Sequence, residues 1–133
     1  MVKVVYDSRT GLGRKFAEKV AAVACADIAR TDAVQPVSEP VDSPCVLVTR
    51  NVGRGKIPGS TKKFLKRYGK HVTGVVVNGD RRFGEYYCAA GPRIEEAYRV
   101  PVIRNIEGEG NDEDVREVAA FIREKSSLCA SPL

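Results

Sequence analysis

Short apolar runs alternate with longer segments whose apolar residues recur at helical spacing, and the alternation continues along most of the 133 residues. The run V-K-V-V-Y at 2–6 reads as a strand closed by the turn-forming residues of 7–13. Residues 14–25 then place Phe16, Ala17, Val20, Ala21 and Ala24 on one stripe, which predicts an amphipathic helix. A short strand over 27–30 is a weaker expectation, and 33–44, with three prolines, reads as a connecting loop. C-V-L-V-T at 45–49 predicts a buried strand, and Ser60 is expected to cap a helix that turns Phe64, Leu65 and Tyr68 inward. H-V-T-G-V-V-V at 71–77 predicts a fourth strand, 85–98 a helix, and 100–106 a fifth strand with Pro101 at its start. Asn111 or Asp112 opens a last helix, with Val115, Val118, Ala119 and Ile122 on one face.

Nearly continuous apolar strands, alternating with helices, imply a parallel sheet covered on both sides, an α/β/α three-layer sandwich. Five strands and four helices in this length fit the flavodoxin-like strand order 2-1-3-4-5. There are no repeats and no sign of a second domain, so 1–126 is expected as a single domain and 127–133 as a disordered tail. No apolar run reaches the roughly 18–20 residues that cross a membrane, and the opening run is too short for a signal peptide. The expected location is the cytoplasm.

Charge changes the picture more than composition does. Hydrophobic residues at 43% and charged ones at 29% are ordinary for a soluble globular chain. The net charge of +5, however, is concentrated: Arg50, Arg54, Lys56, Lys62, Lys63, Lys66, Arg67 and Lys70 carry +8 with no acid among them, so the rest carries −3. Such a field favours an anionic ligand or an acidic partner. The four cysteines (Cys25, Cys45, Cys88, Cys129) form no C-x-x-C pair, and His71 is the lone histidine. Buried thiols are expected, rather than a metal site or a disulfide framework.

In a sheet of this order, ligands sit beyond the carboxyl ends of the strands. Three loops meet there: 7–14, 50–59 and 78–87. The first is no Walker A loop, because G-x-x-x-x-G-K-[ST] is absent. It also fails as a dinucleotide fingerprint, since Phe16 stands where the third glycine should be. What it offers is the hydroxyls of Ser8 and Thr10, glycines at 11 and 13, and a helix N-terminus, a nest suited to a terminal monophosphate without a cation. On these residues alone, a plain glycine turn between strand and helix is the alternative. The second loop, R-N-V-G-R-G-K-I-P, sets two glycines among three cations; the third, N-G-D-R-R-F-G-E-Y-Y, places Phe83, Tyr86 and Tyr87 around Gly84. Aromatics there suit a flat ring, though core packing is the commoner fate for Tyr86 or Tyr87, and Phe83 is the harder one to explain as core.

Taken together, D-S-R-T-G-x-x-R-K-F, V-L-V-T-x-N-x-G-x-G-x-I-P, N-G-D-R-R-F-G-E-Y-Y-C-A-A-G and Y-R-V-P-V-I-R-N-I-E-G-E-G-N-D-E-D-V resemble the NrdI family, over about residues 1–123. These are FMN-binding, flavodoxin-like proteins that serve class Ib ribonucleotide reductase. The resemblance implies a non-covalently bound FMN that, as the hydroquinone, reduces O2 to superoxide. That oxidant is delivered to the small, radical-bearing subunit of the reductase, whose radical cofactor is thereby assembled. A separate flavin reductant would supply the electrons. Such a protein is an accessory redox protein more than a metabolic enzyme.

Carried over by position, Ser8, Arg9, Thr10, Gly11, Leu12 and Gly13 would hold the phosphate. Arg50, Asn51, Val52, Gly53, Arg54 and Gly55 would line one side of the ring. Asn78, Gly79, Asp80, Arg81, Arg82, Phe83 and Gly84, with Cys88, would line the other. The family usually has an aromatic where Arg50 stands and an Asn where Arg82 stands. Cations near the ring favour its anionic reduced form, which makes Arg50, Arg54 and Arg82 candidates for tuning. Two alternatives remain from the sequence: a general flavodoxin-type electron carrier, and a non-redox basic module for phospholigands or nucleic acid. The basic segment carries no recognisable nucleic-acid motif, which disfavours the last.

Overall fold

The computed structural model describes the backbone of residues 2–31 and 41–129, with side chains through Ser126. The elements are β1 (Lys3–Tyr6), α1 (Leu12–Ala24), β2 (Ile28–Arg30), β3 (Cys45–Arg50), α2 (Gly59–Tyr68), β4 (Val72–Gly79), α3 (Ala90–Tyr98), β5 (Val102–Glu107) and α4 (Asp112–Cys129). Short 3-10 turns occupy Gly69–His71 and Arg81–Tyr86. All the strand pairs are parallel, in the order β2-β1-β3-β4-β5. This is the flavodoxin-like order expected from the alternation of strands and helices. Most of the expected loop 33–44 lies outside the described residues.

The apolar strands serve two cores because successive side chains point to opposite faces. Val4, Val46, Val48 and Val76 face α1 and α4, where they meet Phe16, Val20, Val118 and Ile122. Val5, Leu47, Val75 and Val77 face the other way, onto Phe64, Leu65 and Ile94. Leu47 is fully buried, and cutting it to alanine would cost about 2–5 kcal/mol in transfer and cavity terms. The helical stripes read from the sequence all point inward, with Phe16, Ala17, Val20 and Ala21 on α1 and Val115, Val118, Ala119 and Ile122 on α4.

Four local expectations are corrected. The helix expected over 85–98 begins only at Ala90; Cys88 has φ 52°, and Pro92 lacks the N–H that a helix started earlier would need. Ser60 caps nothing: α2 opens at Gly59 after Pro58, and the serine hydroxyl is used elsewhere. Cys45 and Cys88 are buried, but Cys25 is exposed at the end of α1. Burial pushes the Cys45 thiol up to about 12. Finally, α4 continues through Cys129, into the segment expected as a tail, while 130–133 lie outside the described residues. Asn111 and Asp114 close the start of that helix by exchanging backbone-to-side-chain bonds of 2.9 and 2.8 Å. Among the described residues no helix is long and apolar enough to cross a membrane.

Candidate functional site

A wholly parallel sheet delivers all its loops after the strands to one edge. There the ends of β1, β3, β4 and β5 open into a cleft of about 490 Å³, within the usual range for small-ligand sites. Asp7 to Thr10 with Leu12 and Gly13 form one end, Thr49 to Gly53 one wall, and Asn78 to Asp80 with Phe83 the other. Glu107 and Gly108 complete it.

The end formed by residues 8–13 is rich in donors. Gly11 sits at the start of α1 with φ 90°, a conformation that admits glycine readily and strains other residues. The Gly11 amide donates to Ser8 Oγ at 3.1 Å, which leaves the serine hydroxyl hydrogen free to point elsewhere. The Leu12 amide reaches Thr10 Oγ1 only at 3.5 Å. First-turn amides have no partner within a helix, so this turn presents N–H groups and hydroxyls to an anion. Phe16, the residue that breaks the dinucleotide pattern, is fully buried in the core.

Beneath the cleft lies a polar cluster. Asp7 is 1% exposed; its Oδ2 accepts from Ser60 Oγ at 2.5 Å and Thr61 Oγ1 at 2.7 Å, both in the first turn of α2. Thr61 also shares a hydrogen bond of 2.5 Å with Thr49. The other carboxylate oxygen has no hydrogen-bond partner and faces Arg50 at 3.6 Å, while Arg50 Nε is buried without one. A cation therefore stands beside the donor-rich turn after all, held by the buried acid.

At the other end, side chains tie loops together. Asn51 donates to the Tyr86 carbonyl at 2.7 Å and accepts from the Ala90 amide at 2.9 Å, which fixes the second loop to the third. Gly55 packs so close to Ala89 that an added Cβ would lie 2.5 Å from that methyl, at a φ of +78°. Asn78 donates to the Gly108 carbonyl at 2.6 Å, and Glu107 accepts from the Arg81 amide at 2.8 Å. Asp80 takes the Arg82 amide at 2.9 Å and grips its guanidinium at 2.6 Å. Those bonds hold the Asp80 carboxyl below the usual carboxylate range. Val52 and Phe83 stay exposed on the rim, Phe83 at 59%.

Of the residues singled out from the sequence, Ser8, Arg9, Thr10, Leu12, Gly13, Arg50, Asn51, Val52, Gly53, Asn78, Gly79, Asp80 and Phe83 line one cleft. Gly11, Arg54, Gly55, Arg81, Arg82, Gly84 and Cys88 do not. Gly11 and Gly55 shape the loops from outside, and Arg82 is engaged with Asp80. Cys88 sits behind the wall, its thiol donating to the Val77 carbonyl at 3.3 Å, and burial raises its pKa. The sequence reading missed Asp7, Thr49, Glu107 and Gly108. Each ends a strand or follows one, so the rule that points to carboxyl ends would have found them. Among the described residues, no histidine, cysteine or lysine lines the cleft. Its side chains are suited to hold a phosphorylated ligand that brings its own chemistry.

Comparison with known proteins agrees with this fold. The family model described as NrdI flavodoxin-like matches residues 4–120. A protein from Macrococcus caseolyticus (strain JCSC5402), named Protein NrdI, is 31% identical over 123 residues, covering 92% of this chain and 90% of that one. Among solved structures, a short-chain flavodoxin associated with a bacterial microcompartment superposes with a TM-score of 0.72 at 20% identity, covering 98% of each chain. A Fusobacterium nucleatum flavodoxin bound to flavin mononucleotide superposes at 0.58 with 15% identity, covering 96% of this chain and 97% of that one.

Proposed function

This chain belongs to the NrdI flavodoxin-like family, and on that premise we propose that it binds FMN in the cleft and activates the small subunit of a class Ib ribonucleotide reductase in the cytoplasm. The observation that carries the reading is the joining, in one cleft, of the donor-rich turn 8–13 to a slot between the loops 49–53 and 78–83. A phosphate has its partners at one end, and a flat ring has walls at the other. Bound FMN would supply the redox chemistry, the one-electron reduction of O2 to superoxide.

The protein's own residues would orient and tune that group. Ser8, Thr10 and the amides of the turn would fix the phosphate. Val52 and Phe83, exposed on opposite walls, would cover the ring. Of the three arginines considered for tuning, Arg50 alone lines the cleft, so it carries the proposal. Arg82 lies outside the lining and is gripped by Asp80 at 2.6 Å, closer than the 3.6 Å between Arg50 and Asp7, and Arg54 is exposed outside the lining. A cation at Arg50 favours a negatively charged ring by the rule that favours any charged form beside an opposite charge.

The test is to reduce the FMN-loaded protein anaerobically, admit O2 and follow superoxide by cytochrome c reduction sensitive to superoxide dismutase. Superoxide release is expected, together with radical formation in the small subunit only when this chain is present. Reoxidation without superoxide and without radical would contradict the proposal.

A further inference from the structure

From Ser43 to Gly79 the chain has no acidic residue, and apart from Arg50, which lines the cleft, the arginines and lysines of that stretch lie exposed along one ridge. The second loop folds back through an antiparallel bridge between Val52 and Lys56, with amide–carbonyl bonds of 2.9 and 2.8 Å, and leaves Arg54 and Lys56 exposed. It leads directly into α2. There Thr61, Phe64, Leu65 and Tyr68 are buried, so Lys62, Lys63, Lys66 and Arg67 face solvent, followed by Lys70. Arg67 lies 5.3 Å over the Tyr68 ring. The other five ridge cations and Arg54 have no ion-pair partner among the described residues.

Several cations elsewhere are matched at close range. Arg14 meets Glu18 at 3.4 Å, Lys19 meets Glu109 at 2.6 Å, and Arg104 meets Asp114 at 2.8 Å. A surface whose every charge has the same sign costs self-repulsion, which an opposing surface relieves.

We propose that the ridge running from Arg54 to Lys70 is a docking surface for an acidic face on a protein partner, separate from the cleft and beside it. Three features favour a protein over a nucleic acid. The rest of the chain carries −2, the difference between the net +5 and the +7 of residues 54–70, and would repel a polyanion that outran the ridge. The helical part is ten residues long, about 15 Å, the scale of a local acidic patch. Both aromatics of the helix, Phe64 and Tyr68, are buried, which leaves none on it to stack bases. Val52 links ridge to cleft, because it lines the cleft and also forms the bridge that displays Arg54 and Lys56. A partner seated on the ridge is thereby brought to the cleft mouth. Exposed charges of this kind act on encounter rate and orientation more than on final affinity. The choice of partner rests on the proposed redox role; the surface does not.

The experiment measures association of the full chain with the immobilised small reductase subunit, for wild type and for the triple variant Lys62→Glu, Lys63→Glu, Lys66→Glu. None of the three lines the cleft, so FMN uptake serves as the check on folding, and the corresponding glutamine triple serves as a milder second variant. The wild-type rate should fall steeply between about 50 and about 200 mM salt. The glutamate triple should associate at least about tenfold more slowly at the lower salt, lose most of the salt dependence, and leave the glutamine triple between them. Equal rates in all three would overturn the ridge and leave the redox reading standing. No association by wild type would overturn both. A labelled DNA duplex, tested in parallel, would overturn the protein partner if its binding alone depended on the ridge.

Discussion

The two ends of the cleft are built by different means. Residues 8–13 make their end from backbone and short hydroxyls, with Ser8 holding Gly11 and Thr10 holding Leu12 within the same turn. The opposite end depends on side chains that reach between loops remote in sequence: Asn51 to Tyr86 and Ala90, and Asn78 to Gly108. A phosphate needs converging donors, which a turn before a helix supplies locally. A ring needs walls at a fixed spacing, and only long-range ties can set one.

The comparison can be broken by substituting each end in turn. The largest effect is expected from Gly11→Val, which puts a β-branched residue at φ 90°. Its strain should weaken FMN binding about 10- to 100-fold while leaving riboflavin, which has no phosphate, within about threefold. Fluorescence quenching titrations with both flavins would show it. Asn51→Ala removes two bonds at the ring end and should cost about 2 kcal/mol in urea unfolding. It should weaken FMN and riboflavin alike, because the phosphate end is untouched.

Asp7→Asn keeps the shape of the buried floor but removes the charge that faces Arg50. A loss of about 1 kcal/mol in urea unfolding is expected, smaller than for Asn51→Ala because the pair is 3.6 Å apart and the hydroxyl bonds retain an acceptor. Arg82→Ala should lower the unfolding midpoint at neutral pH only slightly, since the side chain is 88% exposed and such pairs contribute little. Asp80 still sets a sign. Its carboxyl is held below the ordinary value by Arg82, so any contribution is present above about pH 4 and lost as pH falls below it. Unfolding of wild type and variant should therefore converge in acid.

The sequence made the local end legible and hid the remote one. Ser8, Thr10, Gly11 and Gly13 advertise a donor turn because residue type and spacing suffice to describe it. The five-strand order was legible for a similar reason, since continuous runs such as C-V-L-V-T announce a strand buried on both faces. Asp7 looked like a turn residue, yet it is a buried acceptor for two hydroxyls on α2, a contact across 53 and 54 positions. Asn51 looked like a ligand contact, yet both halves of its amide are used within the protein. Arg82 looked like a free cation, and its partner two residues away was visible in the sequence as Asp80.

The central claim is that one cleft holds the phosphate at residues 8–13 and the ring between the two remaining loops. Its most direct measurement is titration of the purified protein with FMN and with riboflavin, followed by visible absorption. FMN should bind one to one with shifted flavin bands, and riboflavin at least about tenfold more weakly, the difference a phosphate held by several donors would make. No uptake of FMN, or equal affinity for the two flavins, would contradict it.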